Sequence, residues 1–126
     1  MSINDDRNRH GADLQRWYSG YLIVPDLSQE VTRQLGDLAT EFPSFEVTPT
    51  AIELEYKGRD SSRAIPRALL QLARLIENAG GEVRCQIEGD SDQLWFEFYR
   101  IRDGRLFRQR ADVVRQPEHE VTEVAL

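Results

Sequence analysis

Apolar positions recur along the chain with two different spacings. Intervals of three and four residues, typical of an amphipathic helix, run through residues 27–41 and again from the loop 58–62 to about residue 78. Pro43 ends the first segment, because proline disfavours helical geometry in the residue before it, and Gly80 and Gly81 follow the second. The sequence therefore predicts two helices. The apolar stripe of the second comprises Ile65, Leu69, Leu72, Ala73 and Ile76.

Alternation of apolar and polar residues, typical of strands, fills most of the remaining chain. Short alternating or apolar stretches occupy residues 21–24, 45–47, 52–56, 83–87, 93–102 and 105–115. Turn residues separate several of them, at 48–50, 89–92 and 103–104. The predicted fold is α+β, with two helices packed on one face of a mainly antiparallel sheet of four to six strands.

The length and the distribution of charge indicate a single domain. A chain of 126 residues can bury one core without metal or disulfide support. We expect a domain over residues 17–116, with polar and charged flexible ends at residues 1–16 and 117–126. Cys85 is the single cysteine, the first nine residues are polar, and no apolar run approaches the roughly 20 residues of a membrane span. A cytoplasmic location without membrane insertion is the expectation.

The segment 93–115 carries the most information about function. Asp103 and Gly104 predict a two-residue hairpin turn, since primed turns require residues that tolerate positive φ. The register that follows separates two faces. We assign to the face beneath the helices the set Leu94, Phe96, Phe98, Arg100, Arg102, Arg105, Phe107, Gln109, Ala111 and Val113. The opposite face, expected to be exposed, carries Trp95, Glu97, Tyr99, Arg108 and Arg110.

Trp, Tyr and Arg are enriched at protein-protein hot spots, so this second face is a candidate partner-binding surface. Glu53 and Glu55 are expected to join it if their strand lies nearby. Two alternatives compete with a free surface. The N-terminal arm, with Trp17 and Tyr18, could fold over the same aromatic residues, or a symmetric homodimer could hide them.

The histidine, cysteine and acidic residues of the sequence give little indication of catalysis or of cofactor binding. His10 and His119 lie in the expected flexible ends, and Cys85 alternates with inward-facing apolar positions. The turn at residues 90–92 lacks the glycine and distal glutamate of a calcium loop. We therefore predict no enzyme activity, no metal and no cofactor.

The predicted function is that of a protein-binding module, in the manner of an immunity protein that neutralises a bacterial toxin or modulates an enzyme by covering its active site. A net charge of −6 favours a basic partner protein and disfavours nucleic acid. The alternative function is a homo-oligomeric module that binds a ligand or single-stranded RNA on the open sheet face, where aromatic rings could stack on bases.

Overall fold

The computed structural model describes residues 14–89 and 93–124, which form two helices and one six-stranded sheet. In chain order the elements are β1 (Gln15–Ile23), α1 (Gln29–Ala39), β2 (Ser44–Val47), β3 (Ala51–Gly58), α2 (Ala64–Leu75), β4 (Gly80–Glu88), β5 (Leu94–Arg102) and β6 (Arg105–Asp112). The helices pack against the sheet. The predicted α+β class is confirmed.

The sheet is antiparallel throughout, with the strand order β2-β3-β1-β4-β5-β6. β1 lies inside the sheet, where all nine of its residues are in register with β4 and eight of them with β3. Its two neighbours supply the hydrogen-bonding partners that a central strand requires. β1 therefore joins the β2-β3 hairpin to the β4-β5-β6 meander and makes one continuous sheet.

Both helices begin where a side chain accepts hydrogen bonds from free backbone N–H groups. Ser28 caps α1 by accepting a bond from the backbone N–H of Val31 at 3.1 Å. α2 starts after Arg63, which has left-handed geometry, and its first N–H groups donate to the carboxylate of Asp60. Pro66 lies in the first turn of α2, where its missing N–H costs no hydrogen bond.

One side of the sheet and the facing sides of both helices form the hydrophobic core. The predicted stripe of α2 is buried, and Leu35 of α1 packs into the same cluster. From the sheet, the inward side chains come from alternate positions: Tyr18, Leu22, Ile52, Leu54, Val83, Cys85, Ile87, Tyr99 and Ile101. α2 lies over β5 and β6 and also contacts α1.

The β5-β6 hairpin has the predicted register but the opposite orientation relative to the helices. Asp103 and Gly104 have φ of 53° and 70°, and Arg102 pairs with Arg105 as expected. The face assigned to the core, with Phe96 and Phe98, instead points away from the helices. That assignment is wrong because β5 is apolar on both faces, so alternation alone does not orient it.

The ends of the domain differ slightly from the expected boundaries. Gln15 and Arg16 were expected in a flexible arm but belong to β1, and Arg16 is buried. The rest of the predicted arm up to residue 13, the turn residues 90–92 and the last two residues lie outside the described residues. Residues 113–124 are exposed and have no regular secondary structure.

Gly36 provides a test of helix propensity in α1. A methyl group at this position would meet no atom within 4 Å, and the position is exposed. Gly36→Ala should therefore raise the free energy of unfolding by up to about 1 kcal/mol, because alanine loses less backbone entropy in a helix. Urea denaturation monitored by circular dichroism measures this change. A loss of stability would contradict the placement of Gly36 on a free helix surface.

Candidate binding surface

The side of the sheet that faces away from both helices carries a set of aromatic side chains. We call this side the open face and define its aromatic members as Trp17, Tyr21, Phe96, Phe98 and Phe107. Trp17 and Tyr21 are 36% and 56% exposed, and Phe107 is 39% exposed. Exposed large side chains on a rigid sheet are a feature of binding surfaces. Because the sheet already holds them in place, they lose little conformational entropy when a partner binds.

The sequence of β1 explains why aromatic residues lie on both sides of the sheet. Trp17, Tyr21 and Ile23 are exposed, whereas Tyr18 and Leu22 between them are buried in the core. A central strand covered by helices on one side normally presents polar residues on the other. In β1 only Gln15 and Ser19 follow that expectation on the open face. The strand therefore places apolar area next to water near the middle of the sheet.

Arginine and lysine side chains lie over the aromatic rings of the open face. The guanidinium carbon of Arg102 is 4.5 Å from the ring centre of Phe107, and that of Arg84 is 6.0 Å from the ring centre of Phe96. The Lys57 ammonium lies 5.4 Å from the Trp17 ring. Such cation-π contacts contribute modestly at exposed sites, about 0.5–1 kcal/mol each. They favour rings that lie in defined orientations along the surface.

Charge is distributed unevenly across the open face. The edge formed by β2 and β3 presents Glu46, Glu53 and Glu55, whereas the edge formed by β5 and β6 presents Arg100, Arg102 and Arg105. Between these edges Glu82 and Arg100 form an ion pair at 3.2 Å. The open face is therefore acidic at one edge, basic at the other and aromatic between them.

The structure divides the predicted site residues between the two sides of the sheet. Glu53 and Glu55 lie on the open face. The other five lie on the helix side: Trp95, Glu97, Tyr99, Arg108 and Arg110. Tyr99 is only 2% exposed and Glu97 8%, so the expectation that this aromatic face is open to a partner is wrong. α2 covers the inner end of that face because it packs on β5 and β6.

Trp95 and Arg110 remain near the surface on the helix side. The Arg110 guanidinium lies 5.0 Å from the Trp95 ring centre and pairs with Asp112 at 3.0 Å. Trp95 is half-buried and packs against the core cluster. These side chains thus support the domain and do not extend the open face.

A buried polar cluster lies beneath the N-terminus of α2. The Tyr18 hydroxyl donates to the Asp60 carboxylate at 3.1 Å, and the Asp60 N–H donates to the Tyr56 hydroxyl at 3.2 Å. The same carboxylate accepts the N–H groups of Ala64 at 2.8 Å and Ile65 at 3.3 Å. Asp60 thereby links β1, β3 and α2, and its partners satisfy a charge that would be costly to bury alone.

Burial suppresses ionisation of Tyr18 and of two further buried groups, Cys85 and Tyr99. Desolvation raises the pKa of the Cys85 thiol to about 12 and that of the Tyr99 hydroxyl to about 12, and the carboxylate of Glu97 adds to both shifts. The pKa of Tyr18 is also raised, mainly by burial. These groups stay protonated near neutral pH, and a protonated buried thiol is a poor nucleophile.

The raised pKa of Tyr99 predicts that stability falls at alkaline pH. An unfolded tyrosine ionises near pH 10, so between about pH 10 and 12 the folded state binds more protons than the unfolded state. The free energy of unfolding should therefore decrease as pH rises through this window. At about pH 12 the loss due to Tyr99 should reach about 3 kcal/mol. Denaturant unfolding at pH 9, 10 and 11 measures the slope.

Tyr99→Phe supplies the control for the alkaline slope. The variant should lose stability less steeply with pH than the wild-type chain, while the slope due to Tyr18 and Cys85 remains. An unchanged slope in the variant would show that the hydroxyl of Tyr99 ionises outside this window.

Several open-face residues were missed by reasoning from the sequence. Trp17 was expected to be a possible cover for another face, and Phe96, Phe98 and Phe107 were assigned to the core. The length of the β4-β5 connection would have indicated the orientation of β5, because it determines which residues of the two strands pair. Pairing of Glu88 with Leu94 aligns Val83 with Tyr99 and Cys85 with Glu97. Because directly paired residues share a face, that register makes the odd positions of β5 face inward.

Within residues 14–89 and 93–124, no three or more His, Cys, Asp or Glu side chains are grouped as a metal site would require. In the same residues, neither helix has the length and apolar character needed to cross a bilayer.

Comparison with protein-family models, with curated proteins and with solved structures found no match to this chain.

Proposed function

We propose that this chain is a non-catalytic protein-binding module that contacts a basic partner protein through the open face. The observation that carries the proposal is the exposure of Trp17, Tyr21 and Phe107 on one face of a six-stranded sheet, with both described helices on the opposite side. Aromatic residues on a rigid surface can bury large apolar areas against a partner at low entropic cost.

The charge pattern of the open face defines the partner. Glu46, Glu53 and Glu55 attract basic residues to one edge, and the net charge of −6 steers a positively charged protein toward the chain. The net charge of −6 on every copy opposes the approach of a second copy, which favours a different protein as the occupant. At the other edge Arg100, Arg102 and Arg105 pair with carboxylates of the partner.

The mode of action that best suits this surface is steric inhibition, in which the open face covers the active site of the partner. A broad six-stranded sheet face would block the active site of a basic toxin or enzyme by excluding its substrate. The protonated state of Cys85 and its burial support a role without nucleophilic chemistry. His119, the described histidine, lies in an exposed segment without regular structure, which does not position a side chain for acid-base catalysis.

Binding of single-stranded RNA is less favoured on this surface. Phe96 and Phe98 lie with ring centres 6.0 Å apart and could stack on bases. However, Glu53, Glu55 and Glu82 lie on the same face and would repel phosphates. The mixed charge fits a protein surface better than a uniformly anionic backbone.

Trp17→Ala/Tyr21→Ala should weaken binding of the partner by at least about 30-fold, or about 2 kcal/mol, because it removes the most exposed aromatic area of the open face. The partner would be captured from a lysate with the wild-type chain, purified and titrated by isothermal titration calorimetry. Val121→Ala/Val124→Ala is the matched control, since it removes two exposed apolar side chains from the C-terminal segment.

The outcomes separate the proposal from its alternatives. Weakened binding by the aromatic double variant, with normal binding by the valine double variant, supports the open face as the docking surface. Equal affinity of all three chains would overturn it. Sedimentation of the chain alone provides a second test: a wild-type dimer that the aromatic variant dissociates would place a second copy on this face, against the proposal.

A further inference from the structure

A groove on the helix side of the sheet has a different chemistry from the open face. It lies between α2 and the β5-β6 hairpin and has a volume of about 330 Å³. Arg63, Arg67 and Arg108 line it together with Pro66, Leu70, Leu106 and Tyr99. This volume falls at the lower end of the range for small-molecule sites, which combine apolar walls with a few polar groups.

Among residues 14–89 and 93–124, the arginines of the groove make few contacts with carboxylates. Arg67 donates to the backbone carbonyl of Ser62 at 2.6 Å, and that carbonyl carries no net charge. Arg108 lies 3.9 Å from Glu97, too far for a hydrogen bond. Glu97 in turn accepts a hydrogen bond from the Tyr99 hydroxyl at 3.3 Å. Within the described part of the chain, this contact between Arg108 and Glu97 is the one ion pair that the three arginines form.

Arg63 places a charge partly inside the protein. One of its terminal nitrogens is buried and has no hydrogen-bond partner within the described part of the chain. Arg63 also lies close enough to Tyr18 and Tyr99 to oppose the rise of their pKa values. A charge in a low-dielectric region is poorly screened, so it adds to the positive potential at the groove.

We propose that this groove binds a small organic carboxylate with a short apolar chain. Its carboxylate is recognised by the arginines, whose planar guanidinium groups match the two oxygens of a carboxylate. Its apolar chain lies against Pro66, Leu70 and Leu106. The groove and the open face are on opposite sides of the sheet, so this inference does not depend on the proposed protein partner.

Titration of the full chain with hexanoate, followed by amide NMR, tests the proposal. Hexanoate should shift resonances of α2 and of β5-β6, and hexan-1-ol, which lacks the charge, should bind at least tenfold more weakly. Arg67→Gln/Arg108→Gln should weaken hexanoate binding at least tenfold, whereas Arg74→Gln, in the last turn of α2 and outside the groove, should leave it unchanged.

Three results would overturn the assignment. Hexanoate could leave the groove resonances unshifted, the double variant could bind as well as the wild-type chain, or inorganic phosphate could bind as tightly as hexanoate, which would show that the apolar wall plays no part. If the double variant does not fold, Arg67→Gln alone serves the same comparison, because that side chain is exposed on α2.

Discussion

Asp60→Ala should lower the free energy of unfolding by about 4 kcal/mol. The carboxylate caps α2 through the N–H groups of Ala64 and Ile65, and loss of a helix cap costs about 1–2 kcal/mol. It also accepts the hydroxyl of Tyr18, a fully buried side chain whose donor would be left unsatisfied at a further cost of about 1–3 kcal/mol. Both losses occur together because one side chain serves both partners.

Urea denaturation of Asp60→Ala and Asp60→Asn measures this effect and its origin. The asparagine side chain keeps one acceptor oxygen in nearly the same shape, so its loss should be clearly smaller than that of alanine. A destabilisation below about 1 kcal/mol for Asp60→Ala would contradict the assignment of Asp60 as the residue that joins α2 to β1.

Gly81→Ala should destabilise the chain by at least about 3 kcal/mol. Gly81 has φ of 153°, a region that residues with a Cβ rarely adopt, and an added Cβ would lie 2.5 Å from the carbonyl oxygen of Tyr21. That oxygen belongs to the backbone of the central strand, so it cannot move aside like a flexible side chain. Relief of the clash requires β1 and β4 to separate locally.

The same unfolding measurement on Gly36→Ala provides the control for Gly81→Ala. The chemical change is identical, yet the added methyl group at Gly36 meets no neighbour and the expected change has the opposite sign. Equal stability of the Gly81→Ala and wild-type chains would contradict the close approach of β1 and β4 at this position.

Local signals in the sequence predicted the elements of the fold well. The apolar stripe of α2 and the turn at Asp103 and Gly104 each depend on a few neighbouring residues, and the structure confirms both. Such features follow from backbone geometry that is decided within one or two turns of chain. The α+β class followed from the order of these elements.

The orientation of β5 could not be predicted in the same way. Trp95, Tyr99 and Ile101 alternate with Leu94, Phe96 and Phe98, so either face could have covered the core. Pairing with β4 decides the matter, and that pairing depends on contacts between strands. For the same reason β1 could not be placed between β3 and β4 from its own residues, because strand order is set by the whole sheet.

The groove and the buried polar cluster were also beyond the reach of sequence patterns. Arg63, Arg67 and Arg108 come from two elements that are distant in the chain, and only the packing of α2 on β5 and β6 brings them together. Asp60 resembles an ordinary loop residue in the sequence. Its role depends on Tyr18, which is 42 positions away in the chain.

The two tryptophans report directly on which side of the sheet the partner binds. Trp17 lies on the open face and Trp95 on the helix side. The chain would be labelled with 5-fluorotryptophan, its two resonances assigned with Trp17→Phe and Trp95→Phe, and fluorine NMR recorded as unlabelled partner is added. The proposed function predicts that the Trp17 resonance shifts or broadens while that of Trp95 stays in place. A shift confined to Trp95 would contradict it and place the partner on the helix side.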